Sequence, residues 1–406
     1  MYDVIVVGAR CAGAATAMLL ARKGHRVLLV DRATFPSDVA MSTHLVWQAG
    51  AEKLHRWGLL EAVRASNCPP LNEVFLDLGA FSLQGRPTPS GEVRSAYAPR
   101  RLVLDQILID AAVAAGVEFR ENFSVTDLLR NGDRVTGVVG DSGQTNGIRE
   151  LAHMVVGADG SGSRVARSVA AAEYNPQPQA QGTYFSYFSD VQLDAIEFFP
   201  RPGRMVYAWN TNDGRALVGL SWIRDDFQDV RRDVEKNFYA ELEQLAPNLH
   251  ERVCAGRRDA PWSKGAATGF FRQSSGPGWA LVGDAGLTMD PITAAGISNA
   301  FRDAEFLAQA ISDGLSARQP MEQAMAGFQQ QRDEASLPIY GLTGQMAALA
   351  DAPPEMLQVF EALQGNQADT ERYFGVFAQT VPVMEFFAPD NLQRIVANAQ
   401  VSVPAT

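Results

Sequence analysis

The sequence predicts an α/β fold with a Rossmann-like domain, a mostly antiparallel β-sheet domain and a helical C-terminal region. Two distant segments predict the Rossmann-like part. Residues 2–13 describe a buried strand, a glycine turn and a helix, and residues 279–296 describe a second strand followed by Gly-Asp and another helix. Residues 183–222 predict the antiparallel part, because strand-like runs flank a turn sequence at 212–214.

The first segment has the features of a phosphate-binding turn. Residues 2–7 form a short apolar run typical of a buried parallel strand. Gly8 allows the tight turn that follows, and Gly13 lets the next helix lie close to the strand. Asp31 ends the second predicted strand, where a carboxylate accepts hydrogen bonds from a ribose. The segment therefore predicts a dinucleotide with its pyrophosphate at the helix N-terminus.

One position departs from the usual G-x-G-x-x-G pattern. Arg10 replaces the middle glycine, which normally permits close approach of the backbone to the pyrophosphate. The Arg10 side chain either points outward or adds positive charge near the phosphates, and the sequence leaves both arrangements open.

The second segment repeats the strand-glycine-carboxylate order at Gly283 and Asp284. Pro291 is expected to start a long helix, with Gly296 in its first turns. A helix N-terminus at this place stabilises negative charge on a reduced ring. A strand–loop–helix with an N-cap aspartate is the alternative for this segment alone. Together, the two segments can bind both ends of an FAD that lies lengthwise, whereas a nicotinamide enzyme needs only the first.

Two further features accompany these segments. Residues 155–164 form a strand that ends in Gly-Ala-Asp159-Gly and enters a helix. Arg100 and Arg101 stand at the start of a predicted helix over 102–115, where a cation opposes the helix dipole unless an anion lies nearby. A solvated surface arginine is the alternative.

These segments resemble the flavoprotein family that includes aromatic hydroxylases of the p-hydroxybenzoate hydroxylase type (class A monooxygenases), geranylgeranyl reductases and flavin-dependent halogenases. The resemblance covers approximately residues 1–175 and 265–320. It implies FAD as cofactor, with NADPH or NADH as a transient reductant. It also places Asp31 at the adenosine ribose, and Arg101 and Asp284 at the pyrophosphate and ribityl groups.

The resemblance assigns other positions as well. The loop from Pro291 to Gly296 would lie beside the isoalloxazine ring, and residues 35–44 resemble the mobile segment beside the flavin. Asp159 would support FAD and, in hydroxylases, NAD(P)H. The expected cofactor-binding residues are Gly8, Arg10, Cys11, Ala12, Gly13, Asp31, Arg32, Arg101, Asp159, Gly283, Asp284, Pro291, Ala295 and Gly296.

The predicted domains alternate along the chain. Short runs at 74–78 and 92–97 are predicted as strands, 226–246 as a covering helix and 321–334 as a second helix after the Gly-Asp segment. The predicted ranges are 1–70, 99–175 and 271–335 for the FAD-binding domain, 71–98 and 176–270 for the substrate-binding domain, and 336–406 for the helical region.

Aromatic residues of the antiparallel sheet are the candidate substrate contacts. Tyr187, Tyr207, Trp209 and Trp222 would line an apolar slot if they face the flavin, and they would be ordinary core if they face the covering helix. His44 is the candidate catalytic residue, since a neutral imidazole beside the flavin can transfer a proton. A structural or capping histidine is the alternative.

The expected activity is FAD-dependent monooxygenation. In that hypothesis NAD(P)H reduces FAD, O2 adds at the flavin C4a position, and the (hydro)peroxide oxygenates a hydrophobic, aromatic or polyketide-like small molecule. A C=C reductase of the geranylgeranyl reductase type is the first alternative, and a non-catalytic FAD-binding scaffold or sensor is another. A halogenase is disfavoured because the Trp-x-Trp-x-Ile-Pro signature of tryptophan halogenases is absent.

Composition limits the partners further. The net charge of −11 and the absence of a basic stripe disfavour nucleic acid. The three cysteines and five histidines are scattered, so neither a disulfide framework nor a metal site is expected. No apolar run reaches about 18 residues and no signal peptide is expected, which predicts a cytoplasmic protein without an integral membrane segment. A monomer and a homodimer both remain open.

Overall fold

The computed structural model describes residues 1–39 and 42–401. Its helices are α1 (Cys11–Arg22), α2 (Gln48–Arg56), α3 (Leu60–Ala65), α4 (Arg101–Ala114), α5 (Arg164–Ser168), α6 (Arg224–Val230), α7 (Val234–Leu245), α8 (Pro247–Ala255), α9 (Gly296–Leu315), α10 (Met321–Ala347), α11 (Pro354–Gln364), α12 (Gln367–Phe377), α13 (Val383–Phe386) and α14 (Pro389–Val401).

The strands are also numbered in chain order. They are β1 (Tyr2–Val7), β2 (Val27–Val30), β3 (Val74–Asp77), β4 (Ser82–Gly85), β5 (Glu118–Arg120), β6 (Phe123–Asn131), β7 (Arg134–Ser142), β8 (Thr145–Gly157), β9 (Glu173–Gln177), β10 (Gln181–Ser189), β11 (Ile196–Arg201), β12 (Arg204–Asn210), β13 (Ala216–Ile223), β14 (Arg257–Arg258), β15 (Ser263–Gly265), β16 (Gly269–Arg272), β17 (Ser275–Gly276), β18 (Trp279–Leu281) and β19 (Leu287–Thr288).

The first sheet brings the two predicted cofactor segments together. Its strand order is β17-β18-β8-β1-β2-β5, with parallel pairing from β18 across to β5. The loops after β2, β1, β8 and β18 therefore lie side by side at one edge, because parallel strands all end on the same side. Helices α1, α4 and α9 pack together over the buried apolar residues of this sheet.

The second sheet has two covered faces. Its order is β14-β10-β13-β12-β11-β3-β4, and β15 also pairs with β10. One face packs against α11 to α14, and the opposite face packs against α6 to α8. A small third sheet of β19, β16 and β9 lies next to α10. The α/β fold class is confirmed, and the division into domains remains our proposal.

Several predicted elements differ in detail. The predicted helix over 226–246 is divided between α6 and α7, and residues 92–97 make isolated bridges without forming a strand. Helix α10 continues from Met321 to Ala347 through Pro338, so it crosses the proposed boundary after residue 335. Of the predicted tail 336–406, residues 402–406 lie outside the described residues.

Candidate active site

Two glycines are required by the turn after β1. Gly8 has a φ of +105°, and a Cβ there would lie 2.4 Å from the Ala158 carbonyl oxygen. A Cβ on Gly13 would lie 1.8 Å from the Gly8 carbonyl oxygen. Both contacts are too short for any side chain, so the close packing of α1 on β1 depends on these two residues.

The structure resolves the open question about Arg10. Its backbone is extended, with φ −92° and ψ −166°, a conformation that any residue adopts. The Arg10 Nη1 group lies 2.7 Å from Asp105 Oδ2, and Nη2 donates to Ser37 Oγ at 3.0 Å. The extended backbone explains why glycine is not needed here. The Arg10 side chain joins the turn to α4 and to residues 35–39.

Asp105 was not predicted as a site residue, although it organises this region. Its side chain is fully buried, and it also accepts from Arg101 Nη2 at 2.9 Å and from Cys11 Sγ at 3.4 Å. Burial raises the pKa of the Cys11 thiol, so Cys11 is a neutral donor. Arg101 is only 11% exposed, which excludes the alternative of a solvated surface arginine. The spacing of Arg101 and Asp105 on one helix face was the available signal.

The Gly-Asp turn lies against the start of α1. Gly283 has a φ of +61°, and a Cβ there would lie 2.7 Å from the Ala12 Cβ. The Asp284 side chain is exposed to solvent at the same edge of the sheet. Surrounding protein raises the pKa of its carboxyl, and the positive charge of Arg101 opposes this effect. Ala12, Arg101 and Asp284 therefore lie close together at this edge of the sheet, and their role in binding FAD stays a prediction.

Asp31 directly follows β2, at the same edge of the sheet. Its Oδ2 accepts from the Ala9 N–H at 2.7 Å, and its Oδ1 accepts from the Ala33 N–H at 2.8 Å. Each carboxylate oxygen has a second lone pair, so Asp31 can still accept from ribose hydroxyls. The neighbouring Arg32 is exposed.

Asp159 holds its own loop in place. Its carboxylate accepts from Ser163 Oγ at 2.5 Å and from the Arg164 N–H at 2.6 Å, so it satisfies the start of α5. The residue also lies beside the Gly8 turn, and its support of FAD stays a prediction.

The segment before α9 also differs from expectation. Residues Pro291–Thr293 form a 3-10 turn, Ala294 takes a left-handed φ of +51°, and the helix begins at Gly296 after Ala295. Pro291 therefore does not start the helix. Gly296 is exposed, and a Cβ on it would meet no atom within 4 Å. The first residue of α9 is thus not covered by other described residues.

A narrow inner cavity lies beside this turn. Its free space is about 20 Å³, room for roughly one water molecule. The rings of Tyr207 and Trp209 stack in its wall, with centroids 5.2 Å apart. Residues that line it include Thr43, Gln181, Thr183, Tyr207, Trp209 and Pro291.

An outer cleft of about 810 Å³ opens nearby. Asp38, Arg100, Tyr187 and Trp262 are among its lining residues. The Arg100 guanidinium lies over the Tyr187 ring, 5.0 Å from its centroid, and donates to Asp38 Oδ2 at 2.6 Å. Tyr187 therefore belongs to the outer cleft, whereas Tyr207 and Trp209 belong to the inner cavity.

His44 lies between the two spaces. It is 1% exposed, and its Nε2 hydrogen-bonds with the Tyr187 hydroxyl, while Nδ1 has no partner among the described residues. Burial lowers the pKa of His44 to about 3; Arg101 and Arg100 add to this effect and Asp38 opposes it. His44 is therefore neutral at neutral pH, and it is not a solvent-exposed capping residue.

The prediction for Trp222 requires correction. Trp222 packs with Phe227 and Phe238 on the opposite face of the sheet from Tyr207 and Trp209. Its Nε1 donates to Glu241 at 2.9 Å. The sequence shows which residues of one strand share a face. It does not show on which side of the sheet that face lies, because this depends on how the strand pairs. Trp222 is core, and we omit it from the substrate contacts.

A family model described as an FAD binding domain matches residues 1–323. The chain belongs to this FAD-binding family. It is therefore an FAD-dependent oxidoreductase, and its residues fit the cofactor: Ala12, Arg101 and Asp284 lie close together at one edge of the sheet, and Gly296 is uncovered. No helix in the described part of the chain is long and apolar enough to cross a membrane.

Proteins that are similar to this chain have names that state different activities. It is 29% identical over 335 residues to digeranylgeranylglycerophospholipid reductase of Methanosarcina acetivorans, covering 78% of this chain and 76% of that protein. It is 28% identical to menaquinone reductase of Mycolicibacterium smegmatis, covering 77% and 76%. Kynurenine 3-monooxygenase of Christiangramia forsetii is 24% identical, with 75% and 71% covered.

Solved structures share the fold. A flavoprotein/dehydrogenase from Cytophaga hutchinsonii superposes with a TM-score of 0.83 at 19% identity, covering 98% of this chain and 99% of that one. PqsL, a probable FAD-dependent monooxygenase from Pseudomonas aeruginosa, gives a TM-score of 0.72 at 20% identity. The match covers 93% of this chain and 99% of that one. At such identities the likeness establishes the fold alone.

Proposed function

We propose that this flavoprotein is an NAD(P)H- and O2-dependent monooxygenase of a small, hydrophobic, aromatic substrate. The observation that carries the proposal is the inner cavity, which lies beside the Pro291–Thr293 turn and has the stacked rings of Tyr207 and Trp209 in its wall. Stacked aromatic side chains favour a flat ring over a long chain, and such a ring enters only when the side chains around this narrow space move apart.

The chain would hold FAD along the carboxyl edge of the first sheet. Asp31 would accept from the adenosine ribose, and Arg101 and Asp284 would bind the pyrophosphate and ribityl groups. When bound, FAD supplies hydride acceptance and reaction with O2. The N-terminus of α9 at Gly296 would stabilise negative charge on the reduced ring, and the inner cavity would exclude water and orient the substrate.

We also propose a role for His44 at the boundary of the inner cavity and the outer cleft. A neutral imidazole bonded to the Tyr187 hydroxyl can relay a proton, taking one up at one ring nitrogen as it releases one from the other. His44→Ala is expected to slow oxygenation in stopped-flow measurements more than it changes the amount of bound FAD. Unchanged rates of flavin reduction and oxygenation would remove His44 from the mechanism.

A C=C reductase is the second candidate. Two relatives with the names of isoprenoid lipid and menaquinone reductases support it. The outer cleft of about 810 Å³ also favours it, because a long chain could lie there with its end near Tyr187. The narrow inner cavity admits neither kind of substrate until side chains move, and its stacked aromatic wall favours a flat ring.

Parallel assays under air and under nitrogen separate these functions. The holoenzyme is mixed with NADPH or NADH and with either a panel of phenols or a soluble isoprenoid quinone. The proposal expects O2 uptake that a phenol stimulates and no loss of C=C bonds under nitrogen. Saturation of a prenyl double bond without O2 would establish the reductase. Bound flavin that neither nicotinamide reduces would indicate a partner reductase or a non-catalytic protein.

A further inference from the structure

Arg272 of β16 connects the loop after β8 with the turn after β18. Its Nη1 donates to the Ser161 carbonyl oxygen at 3.0 Å and to the Ala285 carbonyl oxygen at 3.1 Å. The two carbonyls lie on neighbouring loops, because β8 and β18 pair in parallel. A single nitrogen atom therefore holds together two parts of the edge at which FAD is expected to bind.

The guanidinium of Arg272 is fixed by its own surroundings. The residue is 8% exposed, and its Nε and Nη2 donate to Glu173 Oε1 at 3.0 Å and 2.8 Å. Its Cζ lies over the Phe270 ring, 4.2 Å from the centroid. These bonds use donors on all three nitrogen atoms of the group, which only the planar fork of an arginine supplies.

A second buried arginine supports the same turn. Arg332 of α10 is 1% exposed, and its Nη2 donates to the Arg272 carbonyl oxygen at 3.0 Å. Its Nη1 donates to the Gly286 carbonyl oxygen at 3.3 Å, which also accepts from the Arg272 N–H at 2.8 Å. The third sheet and α10 together therefore hold Arg272 and the turn in one arrangement.

The turn is held through its backbone, and its carboxylate is not used. The Gly283 carbonyl oxygen accepts from the Gly286 N–H at 2.9 Å, and the Asp284 carbonyl oxygen accepts from the Thr288 hydroxyl at 2.9 Å. The carbonyls of Ala285 and Gly286 are held by the arginines. Within the described residues, no hydrogen bond reaches the Asp284 carboxylate. The protein thus fixes this turn and leaves its carboxylate for a ligand.

We propose that Arg272 is a positioning residue of the FAD site, because it sets the separation of the Ser161 loop and the Gly283–Gly286 turn and so places the Asp284 carboxylate. This inference rests on the position of FAD given under the proposed function, and it is independent of whether the bound flavin reacts with O2. Without Arg272, FAD would have to order both loops as it binds, which costs affinity.

A double-mutant cycle tests the inference, with FAD affinity measured by fluorescence titration of the apoprotein. Arg272→Met and Asp284→Ala are each expected to weaken FAD binding at least about tenfold. The double variant is expected to bind FAD at least about fivefold more tightly than the product of the two single effects requires, because Asp284 is already misplaced when Arg272 is absent. Arg272→Lys keeps the charge without the fork, so its affinity should lie between wild type and Arg272→Met.

Arg201→Met is the matched control in the second sheet. The Nη1 of Arg201 donates to the Asp77 and Pro200 carbonyl oxygens at 2.7 Å and 2.8 Å, and its Nη2 donates to Asp77 Oδ1 at 2.7 Å. Its loss should lower the melting temperature of the apoprotein, as that of Arg272 does, and leave FAD affinity unchanged.

Two results would make Arg272 a purely structural residue and overturn the inference: wild-type FAD affinity in Arg272→Met, or additive effects in the cycle. Unchanged affinity in Asp284→Ala would instead overturn the position of FAD on which the inference rests. If Arg272→Met does not fold, the cycle is measured with Arg272→Lys, and additive effects there would overturn the inference equally.

Discussion

At the scale of single residues, one buried carboxylate connects three parts of the FAD site. Asp105 pairs with Arg10 from the glycine turn and with Arg101 from its own helix, and it accepts from Cys11. Both arginines lie where a dinucleotide phosphate is expected. Asp105 therefore fixes two cations that would otherwise be free to move away from the cleft.

Removing the charge of Asp105 should weaken both fold and cofactor binding. Asp105→Asn leaves Arg10 and Arg101 without their partner, at a cost of about 3 kcal/mol in the free energy of unfolding. The affinity for FAD, measured by fluorescence titration, is expected to fall at least about tenfold. Asp110→Asn, on an exposed site of the same helix, should change neither quantity. Wild-type FAD affinity in Asp105→Asn would contradict this account.

The ionisation of Asp290 should make the stability of the fold depend on pH. The groups that face it are Gln181 from β10, the Ile292 N–H and the neutral Tyr207 from β12. Because burial raises its pKa to about 6, the carboxyl is protonated below that pH and accepts donors fully only above it. The folded-state pKa exceeds the unfolded value, so ionisation costs stability as pH rises from about 4 to 6.

The free energy of unfolding is therefore expected to fall as the pH rises from about 4 to about 6, as measured by urea denaturation. Asp290→Asn should remove this contribution, since the amide does not titrate. Identical pH profiles of stability for wild type and Asp290→Asn would contradict a raised pKa at Asp290.

At the scale of elements, the N-terminus of α9 is where we propose that the flavin ring binds. The left-handed Ala294 ends the preceding turn, and Gly296 then begins a 20-residue helix that faces open space. A side chain at Gly296 would thus meet the cofactor before it met the protein.

Gly296→Ala separates folding from cofactor binding. The added methyl group meets no protein atom, so the melting temperature of the apoprotein is expected to stay the same or rise slightly. FAD affinity should fall at least about tenfold, because the methyl group occupies the space of the ring. Gly327→Ala, which also meets no atom and lies within α10, is the control for helix propensity. Equal FAD affinity in both variants would move the ring away from α9.

Local signals predicted the first elements well. The turn and the strand end at Gly8, Gly13 and Asp31 could be predicted, because each of these residues acts on its immediate neighbours. The sequence could not place Trp222, whose face depends on pairing with distant strands. It also missed the link from Arg10 to Asp105, which joins residues far apart in the chain, and it placed the helix start at Pro291 without the left-handed Ala294.

At the scale of the whole molecule, the C-terminal helices complete the core beneath the aromatic sheet. Phe374 and Phe386 pack in the same cluster as Tyr207 and Trp209. Tyr340, by contrast, donates to the Asn175 carbonyl oxygen beside the small third sheet. The tail therefore covers the same face of the sheet that carries Tyr207 and Trp209.

In the proposed function, one oxygen atom of O2 enters an aromatic substrate bound beside Tyr207 and Trp209. The most direct measurement is the isotopic composition of the product formed from a phenol, NADPH and isotopically labelled O2. The account predicts one labelled oxygen atom in each product molecule, with the second atom released as water. A product that lacks the label, or one formed equally well without O2 by addition of hydrogen to a C=C bond, would contradict it.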